Sequence, residues 1–130
     1  MSHNRPCIFC ALPRERLIEE NEHAVLILDA FPVSPGHSLV LTKRHVRSFF
    51  DVTHEERHAL LQLVDKAREL VLVTRQPDGF NIGINDGAAA GQTVPHLHIH
   101  LIPRYADDRA DPRGGVRWVI PEKANYWSRP

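Results

Sequence analysis

Three histidines alternate with aliphatic residues in one short run, Pro95-His96-Leu97-His98-Ile99-His100-Leu101-Ile102-Pro103. Successive side chains of an extended strand point to opposite faces. Read as a strand, the run puts three imidazoles on one face, roughly 6–7 Å apart, and Leu97, Ile99 and Leu101 on the other. Each ring has two nitrogens that need partners, and a buried polar group left unsatisfied costs about 1–3 kcal/mol. Such a row makes a poor core. It makes sense as a reactive or metal-binding surface, because neutral imidazole is a nucleophile and a ligand near pH 7. The preceding segment, Asp86-Gly87-Ala88-Ala89-Ala90-Gly91-Gln92-Thr93, is small and backbone-rich. Glycines allow close approach of a ligand, and N–H groups in such loops bind anions. Gln92 and Thr93 add side-chain donors. The loop lacks the Gly-Lys-Ser/Thr ending of a P-loop; joined to the imidazoles, it reads as a phosphate cradle beside a nucleophile.

A second cluster is Cys7-Ile8-Phe9-Cys10. Its spacing suits two thiolates on one tetrahedral Zn²⁺; an unmetallated or redox pair of thiols is the other reading. His54 and His58 stand one helical turn apart and read as solvated residues of a first helical turn. Arg113-Gly114-Gly115-Val116-Arg117 is basic, and reads either as a flap over polyphosphate or as an exposed turn.

The elements that must position these groups follow from pattern. Leu17–Glu20 and Ala24–Asp29 read as strands around an Asn21-Glu22-His23 turn. Phe31–Gly36 is a loop, and His37–Thr42 a third strand. Thr53-His54-Glu55-Glu56 is a capping-box pattern. Leu60, Val64, Ala67 and Val71 then recur at helical spacing, which predicts one long helix ending near Thr74. Phe80–Asn85 reads as a fourth strand and the histidine run as a fifth. Trp118–Ile120 reads as a last short extended piece. Strands gathered around one helix predict an α+β fold, an antiparallel sheet with one long helix, spanning residues 1–130 as a single domain.

Bulk properties narrow the function. Lys plus Arg equals Asp plus Glu, at 16 each, and no basic stripe stands out, so nothing argues for duplex nucleic acid as a partner. There is no run of about 18 apolar residues to cross a membrane. The N-terminus lacks the basic-then-apolar pattern of a secretory signal, so the expected compartment is the cytoplasm.

Gly91-Gln92-Thr93-Val94-Pro95-His96-Leu97-His98-Ile99-His100-Leu101-Ile102 resembles the signature of the histidine-triad (HIT) nucleotide hydrolases and transferases, His-φ-His-φ-His-φ-φ with φ apolar. Asp29–His37 looks like that family's ribose-contacting strand and turn, and Asn85-Asp86-Gly87 like its phosphate-side strand end. The resemblance implies a HIT-like fold and a covalent mechanism. His98, the middle histidine, is then the nucleophile toward an α-phosphorus. His100 holds the phosphoryl oxygens or the leaving group, and Gln92 and Thr93 bind non-bridging oxygens. Gly91 and Asn85 contact phosphate or ribose, and Asp29 takes the ribose hydroxyls. Ile8, Ile27 and Phe31 are candidates for the base.

The resemblance also completes the metal set. Zinc-bearing members take two ligands at the positions of His45 and His96, giving a structural Cys7, Cys10, His45, His96 site. No metal is expected at the catalytic phosphorus. The expected substrate is a purine nucleotide or dinucleotide. The C-terminal pattern resembles bacterial dinucleoside polyphosphate hydrolases, cleaving at the α-phosphate. A nucleoside phosphoramidase and a nucleotide-binding regulatory module with little turnover are the alternatives. A homodimer follows by family analogy.

Overall fold

The computed structural model describes residues 7–128. Five strands form one antiparallel sheet: β1 (Leu17–Glu20), β2 (Ala24–Leu28), β3 (Ser38–Thr42), β4 (Gly79–Gly83) and β5 (His98–Arg104), in the order β1-β2-β3-β5-β4. The one α-helix, α1 (His54–Thr74), joins β3 to β4 and packs against β2, β3 and β5. No helix is long and apolar enough to cross a membrane, among the described residues.

Helix α1 starts where the capping box places it. The Thr53 hydroxyl accepts from Glu56 N–H, and the Glu56 carboxylate accepts from Thr53 N–H. The same carboxylate takes two hydrogen bonds from the Arg44 guanidinium, at 2.8 and 2.9 Å. That pair, with the Thr53 amide, holds the Glu56 carboxyl down at about 2. Glu56 thus ties the helix start to the connection leaving β3.

Both faces of the sheet centre are covered, which explains the unbroken Ala24-Val25-Leu26-Ile27 run. Ala24, Leu26, Val40, Leu97, Ile99 and Leu101 meet Ala59, Leu60, Leu63 and Ala67 of α1. On the other face Val25, Ile27, Leu39 and Leu41 are roofed by Phe9, Leu12 and Leu17. His98 and His100 share this second face, paired across β3 with Leu41 and Leu39.

Three elements differ from the sequence reading. The histidine strand begins at His98, not His96, and runs on to Arg104. Before it the chain makes a tight turn, His96 N–H to Val94 C=O at 2.8 Å, and Leu97 N–H turns to Val46 C=O. Pro103 is tolerated inside β5 because the last β3 pairing is Ser38–Leu101, so only β4 flanks it. The fourth strand is Gly79–Gly83, displaced from the expected Phe80–Asn85. The Trp118–Ile120 piece is not extended. It lies in and just after a 3₁₀ turn, Gly115–Val119, closed by Trp118 Nε1–H to Arg113 C=O at 2.8 Å and Arg117 to Lys123 and Ala124 carbonyls.

Candidate active site and metal site

Hydrogen bonds fix which nitrogen of each ring is bare. His98 Nδ1 lies 2.8 Å from the His96 carbonyl. A carbonyl only accepts, so Nδ1 carries the proton and Nε2 is left with a lone pair. That is the tautomer a nucleophilic imidazole needs. Strand β5 aims the ring outward, and Phe9 packs edge-on against it with centroids 5.1 Å apart.

His37, the last residue before β3, does the same for His100. The Val33 N–H donates to His37 Nδ1 at 3.1 Å, so His37 bears its proton on Nε2. This N–H faces His100 Nδ1 at 2.9 Å, with Asp29 Oδ2 at 3.4 Å. His100 Nδ1 is therefore the acceptor, and His100 presents Nε2–H toward the open side. Burial lowers the pKa of both rings below the ordinary 6.5; His98 and His37 lower His100 further, while Asp29 opposes the shift in each. Asp29 Oδ1 accepts from Phe31 N–H at 2.8 Å, which fixes the carboxylate at the end of β2.

The small-residue loop is held by its own glutamine. Gln92 Oε1 accepts from Gly87 N–H, and Gln92 Nε2 donates to the Arg47 and Val94 carbonyls at 3.0 and 3.1 Å. Gly87 and Gly91 sit at φ +97° and +94°, where side chains are strained. The Gln92 amide is committed to bracing this loop rather than pointing at the histidines. Gly91 N–H likewise bonds to Ala88 C=O. Thr93 and Asn85 are exposed. Asp86 Oδ2 accepts from the Ser48 hydroxyl and from Phe49 N–H and anchors the loop's start.

The first histidine of the row points elsewhere. His96 is fully buried and donates Nε2–H to Thr42 C=O at 2.7 Å, leaving Nδ1 bare. That nitrogen lies 3.6 Å from Cys7 Sγ and 3.5 Å from Cys10 Sγ, and His45 Nδ1 lies 3.2 Å from Cys10 Sγ. A tetrahedral Zn²⁺ with ordinary Zn–S and Zn–N bonds has ligand–ligand edges of roughly 3.3–3.8 Å. The four atoms, all within 4.8 Å of one another, fit that geometry. The set can hold a metal, and the Thr42 carbonyl supplies the outer hydrogen bond that orients a ligating histidine. Desolvation and the neighbouring Cys7 raise the Cys10 thiol above its usual value; a bound cation reverses that preference.

The remaining sequence candidates differ in burial and pairing. Ile27 is fully buried in the sheet core, while Ile8 and Phe31 are exposed. His54 and His58 are exposed on α1, across the sheet from the imidazoles. Arg113 is paired with Asp111, and Arg117 with backbone carbonyls. Two contributors, Phe9 as ring support and His37 as partner of His100, were not assigned roles from sequence. A histidine directly after the Phe31–Gly36 loop was the available signal for His37.

Comparison with known proteins finds relatives in sequence and in fold. A HIT domain model matches residues 13–107. An uncharacterized HIT-like protein of Mycoplasma genitalium is 41% identical over 103 residues, covering 76% of this chain and 73% of the relative. An adenylylsulfatase of Arabidopsis thaliana is 34% identical over 106 residues, covering 78% of this chain and 54% of the relative. The crystal structure of a Zn-bound histidine triad family protein from Mycobacterium smegmatis superposes with a TM-score of 0.66 at 33% identity, covering 85% of this chain and 74% of that one. The chain belongs to the HIT family of nucleotide-binding hydrolases and transferases.

Proposed function

We propose that the protein cleaves dinucleoside polyphosphates or related nucleotide conjugates at the α-phosphate through a nucleotidyl-His98 intermediate. The carrying observation is the bare Nε2 of His98, held by its Nδ1–H bond to the His96 carbonyl. In the first step the Nε2 lone pair forms a bond to the α-phosphorus, and the bond to the leaving phosphate oxygen breaks. The leaving group departs as an anion. His100 Nε2–H, oriented by His37, donates to the oxygen on which charge develops. The His98 ring is cationic in the intermediate, and the His96 carbonyl faces its remaining N–H. In the second step water attacks phosphorus, the N–P bond breaks, and the water proton is released with the nucleoside monophosphate. Covalent catalysis thus divides one displacement into two.

Thr93 and Asn85, exposed at the His98 end, contact the phosphate. Gln92 and Gly91 act by shaping the loop around it. Asp29, with lone pairs beyond those used by Phe31 and His37, accepts from the ribose hydroxyls of a purine nucleotide. Zn²⁺ on Cys7, Cys10, His45 and His96 clamps the N-terminal segment to the base of β5. We further read the protein as a cytoplasmic homodimer; exposed Leu61, Leu72 and Val73 on α1 and the open edge of β4 supply its surface.

Purified protein assayed against dinucleoside polyphosphates, adenylyl sulfate and nucleoside phosphoramidates tests this. Turnover releasing a nucleoside monophosphate, abolished in His98→Ala, is expected. Tight nucleotide binding with no turnover of any of the three favours the regulatory alternative.

A further inference from the structure

Eight of the nine histidines lie among the described residues, and they fall into three groups. His37, His98 and His100 stand together on the reactive face, and His45 and His96 face the cysteines. The three left over, His23, His54 and His58, do not scatter over the surface. They line one cavity of about 500 Å³ between the β1–β2 turn and the start of α1. His23 comes from the turn and the other two from the helix, so only the docking of the turn on α1 brings them together.

Both walls of the cavity are fixed. Asn21 Nδ2 donates to the Ala59 carbonyl at 3.0 Å, which pins the turn on the helix. Asn21 Oδ1 accepts from the N–H groups of His23 and Ala24 at 3.1 and 2.9 Å. The His23 carbonyl accepts from Lys43 N–H at 2.8 Å. The backbone of His23 is thus held on both sides of its Cα. On the opposite wall the capping box of Thr53 and Glu56 fixes the first turn of α1. His54 and His58, four residues apart, share one face of that turn. The rings are uncommitted, because none of the three makes a hydrogen bond among the described residues. The polar group nearest to them is the Glu22 carboxylate, 3.8 Å from His23 Nε2.

Three unpartnered imidazoles rimmed by Glu22 and Glu55 supply nitrogen ligands and negative charge. A helix N-terminus alone favours an anion, but the two carboxylates oppose one here. Neutral imidazole suits the late divalent ions of the first transition series. Helical residues i and i+4 have Cβ atoms roughly 5–6 Å apart, so both rings can reach one ion. Unlike the cysteine set, the three ring nitrogens do not all stand within 4.8 Å of one another. His54 and His58 are exposed, and closing on an ion takes rotation of their side chains. We propose that His23, His54 and His58 form an all-nitrogen site for a divalent ion of the Ni²⁺ or Cu²⁺ type, separate from the cysteine set. The ion staples the β1–β2 turn to the first turn of α1. Its site lies on the helix side of the sheet, away from His98, so its occupancy acts on stability rather than on turnover.

The test is a titration with Ni²⁺ alone. Untagged protein preloaded with one equivalent of Zn²⁺ is titrated by calorimetry as wild type, His23→Ala, His54→Ala and His58→Ala. Melting temperatures without Ni²⁺ check that each variant folds, and Gln replaces Ala at any position where Ala lowers them. Wild type should bind one Ni²⁺ and melt several degrees higher in its presence. Each substitution should weaken binding about tenfold or more and remove the shift in melting temperature. Full affinity in the His23 variant would mean that the helical pair chelates alone, and overturns the three-histidine site. Affinity that survives all three substitutions places the ion elsewhere and overturns it too, as does a wild type that binds no Ni²⁺. Inorganic phosphate, titrated in parallel, should not bind in the cavity. Phosphate binding that these substitutions abolish, with no Ni²⁺ bound, would make the cavity an anion site and contradict the proposal.

Discussion

A single polar contact sets the working form of each reactive ring. His98 and His100 differ because one gives its Nδ1 proton to a carbonyl, whereas the other receives one from His37. The two rings present opposite functions, a lone pair and an N–H, to the same space. This assigns His37 a positioning role that can be measured. His37→Ala should lower kcat about 10–100-fold while changing nucleotide affinity little, because His100 loses the donor that fixes its tautomer. In His37→Gln the amide nitrogen stands close to the position of Nε2, and part of the rate should return. Equal losses in the two variants would mean that His37 only fills space. The histidine row and its loop were legible because alternation and small residues are local signals. The Asp29–His37–His100 chain was not legible as a chain, since its members lie far apart in sequence and meet only when β2, β3 and β5 pair. The Gln92 brace was hidden for the same reason, as its partner Arg47 is 45 residues away.

At the scale of elements, the capping box announced α1 and the apolar spacing gave its buried face. The start of β5 was misread by two residues. Alternation alone continues the strand back to His96, and only the turn to Val94 and the bond to Val46 break it there. That break has a use. It frees His96 to face the cysteines while its carbonyl still meets His98, so the candidate metal set and the proposed nucleophile share one residue. Cys10→Ser should therefore lower the melting temperature of metal-loaded protein by several degrees, on the order of 1–3 kcal/mol, with a much smaller change in nucleotide affinity. Elemental analysis showing no zinc in unchelated wild-type protein would remove this expectation. The Arg44–Glu56 link gives a second check. Glu56→Ala removes a helix cap and the partner of a half-exposed guanidinium, and should cost about 2 kcal/mol in denaturant unfolding. The 3₁₀ turn at Gly115–Val119 could not be read from pattern, because side chain-to-carbonyl bonds decide it.

For the whole molecule, the fold packs α1 against one face of the sheet and sets His98 and His100 on the other, beside the smaller core roofed by Phe9, Leu12 and Leu17. His37 and His100 have folded pKa values below their ordinary 6.5. Below about pH 6.5 the unfolded chain binds protons that the fold disfavours, so the stability these rings contribute is complete above that value. It is lost as pH falls through it toward the folded values. The melting temperature of zinc-saturated protein should drop as pH falls below about 6.5. The drop should be smaller in His37→Gln, which removes one of the titrating rings. An identical slope in both proteins would place the acid sensitivity elsewhere.

The central claim is that His98 Nε2 becomes covalently bonded to the nucleotide. Rapid quenching of wild-type enzyme with a labelled dinucleoside polyphosphate, followed by mass mapping under mildly alkaline conditions that preserve N–P bonds, tests it directly. The account predicts a nucleotidyl group on His98 that forms and decays at rates compatible with turnover, and no adduct in His98→Ala or His98→Asn. A nucleotide carried by another residue, or near-normal turnover in either variant, would contradict it.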